Sequence, residues 1–238
     1  MTEKKDRYIQ AQFAKEGLSC SEQQIRQFDM FYEMLTEKNK VMNLTGITEF
    51  PEVVEKHFLD SLSLCRVIDL HQPLSVLDLG TGAGFPGIPL KIAFPELSVT
   101  LMDSLQKRVR FLHEVIEKLG FTSIEAVHGR AEEYARNSVY RESFDLCVSR
   151  AVANLSVLAE YCLPFVKTGG RFAAYKSGSA DGEAKEAERA CSLLGGRIEE
   201  IYKFDLGESK RSFILIKKIK KTPGLYPRKA GTPVRSPL

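Results

Sequence analysis

Val76-Leu-Asp-Leu-Gly-Thr-Gly-Ala-Gly-Phe-Pro-Gly87 is the stretch that decides the fold class. A short apolar run, SVLDLG, reads as a strand, and GIPLKIAF after the glycines reads as a short helix ending near Pro95. Strand, glycine turn and helix in that order form the context of a nucleotide-binding loop. Gly80, Gly82 and Gly84 let the backbone turn tightly and approach a ligand where a Cβ would collide. Amide groups at the start of the following helix favour an anionic group. Asp103 closes the next apolar run, SVTLMD, and an acid there can accept hydrogen bonds from both hydroxyls of a ribose.

Outward from this turn, strands and helices alternate. QKRVRFLHEVIEKLG is a helix closed by Gly120, and SIEAVHG is a third strand followed by a short helix from Ala131. FDLCVSR is a fourth strand, SVLAEYCLPFV a helix, and RFAAYKS a fifth strand after the Gly169-Gly170 turn. A charged helix, EAKEAERACSLL, precedes RIEEIYKFDL and RSFILIKKI, whose short connection GESK predicts an antiparallel hairpin at the sheet edge. The pattern predicts an α/β fold with a doubly wound, seven-stranded, mostly parallel sheet over residues 73–219. Residues 1–72 read as helix without strand. Ser21 is a plausible N-cap for one amphipathic helix, Pro51 opens a second, and together they predict a helical cap. Residues 220–238 form a basic tail.

Composition narrows the function classes. A chain of 238 residues with 43% hydrophobic and 27% charged residues suits one soluble domain with an appendage. No apolar run is long enough to cross a membrane, and MTEKKDRYIQ has no apolar signal region. Five scattered cysteines without a C-x-x-C pair argue against a disulfide framework or zinc site, and suit a reducing cytoplasm. Histidines are few and lack metal-ligand spacing, so no metal is expected. The net charge of +3 is uneven: residues 217–238 hold seven basic residues and no acid, against 27 basic and 31 acidic elsewhere. Such a tail is either a solvated terminus or a grip for a polyanion, with nucleic acid ahead of lipid.

GAGFPG, residues 82–87, fits the dinucleotide pattern G-x-G-x-x-G, a weak signal alone. Two details favour S-adenosylmethionine over a nicotinamide dinucleotide. Asp78, two residues before the first glycine, would repel a pyrophosphate but could engage an ammonium group. Pro86 and Pro89 remove amide donors that a pyrophosphate would use. Beyond the third strand, the backbone of Ala131 and Glu132 lies where an adenine edge would be read, although Glu132 and Glu133 also complement a helix N-terminus. Arg150 ends the fourth strand, where ligand and substrate meet, and can hold a phosphate, stack on a base or fix the next helix.

VLDLGTGAGFPGIPL, LMDS, GRAEE, FDLCVSRAVA and the closing RKAGTP, with NLTGI and HFLDSL near the N-terminus, resemble the bacterial 16S ribosomal RNA guanine-N7 methyltransferases, the glucose-inhibited division protein B family. The match spans nearly the whole chain. Phe-Pro inside the glycine loop and Ser-Arg-Ala after the fourth strand are its specific parts. The resemblance implies methyl transfer from S-adenosylmethionine to N7 of a guanine in the decoding-region loop of small-subunit rRNA, so 16S rRNA or the small subunit is the implied partner. It also implies cofactor contacts at Gly80, Phe85, Asp103, Ala131, Glu132 and Arg150.

The residues agree with that chemistry through what they lack. Where an exocyclic-amine methyltransferase commonly carries D/N-P-P-aromatic, this chain has Ser149-Arg-Ala-Val-Ala153. No Pro-Cys nucleophile for a pyrimidine carbon is present, and Cys147 sits inside an apolar strand. Guanine N7 carries a free lone pair and no proton, so the site needs alignment rather than a general base. Arg150 is the residue expected to orient substrate or cofactor, and Lys107, Arg108, Arg110 and the tail are expected to grip RNA. His57 and Asp60 read as structural. The rival readings are a nicotinamide oxidoreductase, a non-catalytic RNA-binding or assembly protein on this scaffold, and a small-molecule methyltransferase.

Overall fold

The computed structural model describes residues 2–150, 153–178 and 180–238. Its centre is a seven-stranded sheet in the order β3-β2-β1-β4-β5-β7-β6. β1 (Ser75–Leu79), β2 (Ser98–Asp103), β3 (Ile124–His128), β4 (Phe144–Ser149) and β5 (Val166–Ser177) run parallel. β7 (Ser209–Lys218) lies antiparallel between β5 and the edge strand β6 (Gly196–Leu206), so the expected hairpin forms with its second strand inside the sheet. The chain switches direction between β1 and β4, which opens a crevice at the carboxyl ends of those strands.

Alternation along the strands builds two apolar layers. Val76, Leu146, Val148, Phe213 and Leu215 face one layer, and Leu77, Cys147, Ile214 and Ile216 face the other. The second layer is covered by α8 (Leu155–Cys162) and α9 (Asp181–Leu193). The first is covered by α5 (Gly87–Ala93), α6 (Gln106–Lys118) and the N-terminal helices α1 (Thr2–Lys15) and α2 (Glu22–Met42). Ser21 caps α2 in a reciprocal capping box with Gln24, as Ser-x-x-Gln predicts. Phe13, Phe28, Phe31 and Phe58 pack ring against ring in the same apolar cluster as Ile88 and Leu101. The cap therefore shares one core with the sheet rather than sitting on it.

The helix expected from Pro51 is not uniform. It opens as α3 (Phe50–Val53), widens into a π-helical turn at Val54–Leu59, and continues through α4 (Asp60–Leu62) into a 3₁₀ turn at Ser63–Arg66. π turns often mark functional places, and this one carries His57 toward the sheet, just ahead of Asp60.

The basic tail is docked. Lys218 is fully buried, its ammonium donating to the Leu163 and Val166 carbonyls and to Thr222 Oγ1 and paired with Glu142. Burial pulls its pKa down to about 8. Arg228 clasps the fully buried Glu160 of α8, and Arg136 and Arg141 donate to tail carbonyls. The tail closes as α10 (Thr232–Arg235). Three of the seven basic residues of 217–238 are thus engaged internally, since Lys217 also donates to the Gly169 carbonyl. Lys220, Lys221, Lys229 and Arg235 stay exposed.

Candidate functional site

Two adjoining cavities open at the carboxyl edge of the sheet. The first, about 260 Å³, lies at the switch point and is lined by Gly80, Asp103, Gly129, Ala131, Glu132 and Tyr161, among others. Asp103 is buried and firmly held. Its Oδ1 accepts the Leu105 amide at 2.8 Å, and its Oδ2 accepts the Gly82 amide at 2.9 Å and Arg108 at 3.3 Å. On the opposite lip, Glu132 lies beside Tyr161 and accepts the Gly231 amide at 3.4 Å. Burial and the Glu132 charge push the Tyr161 phenol up to about 12, which keeps it a proton donor at neutral pH. The docked tail therefore touches the rim of this cavity.

The glycine turn is braced from beneath. Asp78 is fully buried at the end of β1, and its Oδ2 accepts the Thr81 hydroxyl at 2.7 Å and the Gly87 amide at 2.8 Å. One carboxylate oxygen thus ties both ends of the turn, while Oδ1 has no partner. Burial raises the Asp78 pKa to about 6, opposed by those two donors. Gly87 is required by close approach: a Cβ there would lie 2.2 Å from Leu101 Cδ2 and 2.9 Å from Asp78 Oδ2. Gly84, at φ +103°, would place a Cβ 2.6 Å from Ile88.

The turn's amides decide what ligand fits. Gly80 and Thr81 N–H donate to the Met102 carbonyl, Gly82 N–H to Asp103, and Gly84 and Phe85 N–H to the Thr81 carbonyl. These five donors already have partners in the turn and on β2, so they are not free to cradle a pyrophosphate. What the cavity does present is a carboxylate at a strand end for a ribose diol and a backbone lip at Gly129–Ala131 for a flat heterocycle. Those features fit S-adenosylmethionine, which carries a nucleoside and no phosphate.

The second cavity, about 470 Å³, is lined by Asp60, Arg150, Tyr175, Lys176, Glu183 and Arg211, with Phe204 and Phe213 forming part of the wall. Asp60 is its hub: Oδ2 accepts Arg150 Nη1 at 2.9 Å and Oδ1 accepts Arg211 Nε at 2.8 Å. Arg150 also reaches His57 Nδ1 at 3.3 Å, and its guanidinium lies 5.0 Å from the centre of the Phe85 ring. Burial, with the Arg150 charge adding, holds the His57 imidazole down at about 4, so it is neutral at physiological pH. Lys176 pairs with Glu183 Oε1 at 2.7 Å. Ala153 lines both cavities and marks their junction.

Gly80, Asp103, Ala131 and Glu132, four of the residues expected to bind cofactor, line the first cavity together. Asp78, Gly82 and Gly84 shape the turn from below and within it and are not lining residues. Phe85 points the other way, buried against Phe31, Phe58 and His57, where it ties the loop to the cap. Arg150 faces the second cavity. His57 and Asp60, read from sequence as structural, turn out to hold Arg150, and Lys176, Glu183 and Arg211 were not singled out. Their common feature is an acid on a helix paired with a base on a strand, Glu183 with Lys176 and Asp60 with Arg211, which one sequence does not display. Of the residues expected to grip RNA, Lys107 and Arg110 are exposed, whereas Arg108 is drawn onto Asp103. Among the described residues no helix is long and apolar enough to cross a membrane, and no cluster of three or more potential metal ligands forms.

Residues 24–214 match the family described as rRNA small subunit methyltransferase G (GidB). The chain is 54% identical over 224 residues to Ribosomal RNA small subunit methyltransferase G of Lachnoclostridium phytofermentans, covering 93% of each chain. It is 49% identical over 232 residues to the protein of the same name from Geobacillus thermodenitrificans, covering 97% of this chain and 98% of that one. Among solved structures, a SAM-dependent methyltransferase from Aquifex aeolicus aligns with a TM-score of 0.52 and 18% identity over 70% of this chain and 93% of that one. M. jannaschii TYW2, solved in complex with AdoMet, aligns with a TM-score of 0.53 and 11% identity over 67% of this chain and 77% of that one. These two likenesses concern the fold alone, which is the Rossmann-like class I methyltransferase fold. The chain belongs to the rRNA small subunit methyltransferase G family.

Proposed function

We propose that this methyltransferase moves the S-adenosylmethionine methyl group to N7 of a guanine in 16S rRNA, without a general base. The cofactor's nucleoside would occupy the first cavity, with its ribose on Asp103 and its adenine along Gly129–Ala131. When bound, it supplies an electrophilic methyl on a sulfonium. The target base would enter the second cavity, extruded from its helix or loop, and meet the methyl across Ala153.

The observation that carries this reading is the pairing of the two acids that line the second cavity. Asp60 is neutralised by two guanidiniums and Glu183 by the Lys176 ammonium. Each carboxylate is occupied by cationic donors. Guanine N7 has no proton to give, so the residues need only hold the base in line with the methyl–sulfur bond. Arg150 fits as the positioning group between the loop and the second cavity. The exposed Lys107, Arg110, Lys220, Lys221, Lys229 and Arg235 would engage the phosphate backbone.

The pH dependence of the single-turnover rate tests the mechanism, using small ribosomal subunits and saturating S-adenosylmethionine. A rate constant that stays level between pH 6.5 and 9 is the expected result. A tenfold rise per pH unit in that range would demonstrate a general base and overturn the proposal.

A further inference from the structure

We infer that Lys176 is the residue that selects guanine, by donating a hydrogen bond to O6 of the base whose N7 is methylated. The inference rests on the guanine-N7 reading above and goes beyond it by naming a specificity determinant. Lys176 lies near the carboxyl end of β5, its side chain is only 10% exposed, and it lines the second cavity. Its ammonium donates to the Ala153 carbonyl at 2.8 Å and to Glu183 Oε1 at 2.7 Å. An ammonium has three N–H groups, so one donor is left for a ligand.

Position makes that donor informative. Lys176 is the cation tied to Ala153, the residue common to both cavities, so it stands where the methyl group must cross. Guanine carries O6 next to N7 on the same edge, and both are acceptors. With N7 aimed at the junction, O6 falls beside the group that lines it. Adenine carries an amino donor in that place, and an ammonium would face it donor to donor. The two arginines are less suited. Arg150 is drawn toward Asp60, His57 and Phe85, and Arg211 Nε is fixed to the other oxygen of Asp60. A lysine on O6 leaves the N7 lone pair free for the sulfonium.

A double-mutant cycle between protein and base tests this. Small subunits are reconstituted with 16S rRNA carrying guanine or 2-aminopurine, which lacks O6, at the target position. Each is methylated by the native enzyme and by Lys176→Met, with cofactor affinity measured by calorimetry as the check on folding. Removing either partner should lower kcat/KM by about tenfold to a hundredfold, and removing both should cost no more than removing one. Cofactor affinity should stay within about twofold, because Glu183 keeps its bond from the Leu155 amide. Losses that multiply, or a Lys176→Met enzyme with native kcat/KM on guanine, would overturn the inference. If Lys176→Met does not bind cofactor, Lys176→Leu, which also lacks a donor, carries the same comparison. Native enzyme that leaves N7 of guanine unmethylated would remove the functional reading itself, a result distinct from multiplying losses.

Discussion

Removal of the Arg228 guanidinium should unfasten the C-terminal segment from the body. Glu160 is 0% exposed in the middle of α8. Arg228 supplies it with Nε at 2.9 and 3.1 Å, Nη2 at 2.6 Å and a backbone amide at 2.8 Å. In Arg228→Met only the amide remains, and a carboxylate is left in an apolar layer without a counter-ion. Breaking a buried pair from one side costs about 3–5 kcal/mol. The Arg228 side chain keeps 23% of its surface exposed and the amide bond survives, so the lower end, about 3 kcal/mol, applies. That is a change of more than about a hundredfold in the unfolding equilibrium. Urea denaturation at pH 7 followed by circular dichroism reads it as a drop in midpoint with the slope preserved. The companion Glu160→Met/Arg228→Met should recover most of the loss, since no charge is then stranded. A loss below about 1 kcal/mol in the single variant would refute the view that this pair anchors the tail.

Truncation after Lys221 should likewise lower stability and weaken cofactor binding as well as RNA binding, because the Gly231 amide touches Glu132 at the first cavity; calorimetric titration with S-adenosylmethionine decides this. Gly87→Ala should destabilise by about 1–3 kcal/mol through overpacking against Leu101 and Asp78, read by thermal melting. Asp103→Ala should abolish measurable cofactor affinity, since it removes the ribose acceptor and also frees the Gly82 and Leu105 amides; unchanged affinity would place the ribose elsewhere. His57, held at about 4 against an ordinary 6.5, stabilises the fold fully above pH 6.5 and loses that contribution as pH falls, because the unfolded chain takes up the proton first. Asp78, raised to about 6, works in the opposite sense and loses its contribution as pH rises from 3.8 to 6. Between pH 7 and pH 5 the native protein should therefore lose about 2 kcal/mol more than His57→Gln, measured by urea midpoints at the two pH values.

Much of the architecture was legible because local patterns carried it. The glycine turn, the alternation of short apolar strands with helices, the Ser21 N-cap and the closing hairpin all follow from residues within a few positions of one another. Asp103, Ala131 and Glu132 could be placed at the cavity because each follows directly on a parallel strand. The parts that escaped depend on partners far apart in the chain. The packing of Phe85 was not legible, because the Phe31 and Phe58 rings it meets come from the distant N-terminal cap. The tail's charge pointed outward in composition, yet Glu142 and Glu160 lie in segments that gave no hint of carrying its counter-ions. His57 and Asp60 read as structural from the sequence, and Arg150, the group they hold, lies 90 residues beyond Asp60 in the chain.

The most direct test of the account supplies the purified protein with tritium-labelled S-adenosylmethionine and small ribosomal subunits from cells that lack it, then digests the RNA to nucleosides. Label is expected in 7-methylguanosine at a single position of 16S rRNA. Label in any other nucleoside, or none in rRNA despite cofactor binding, would contradict it.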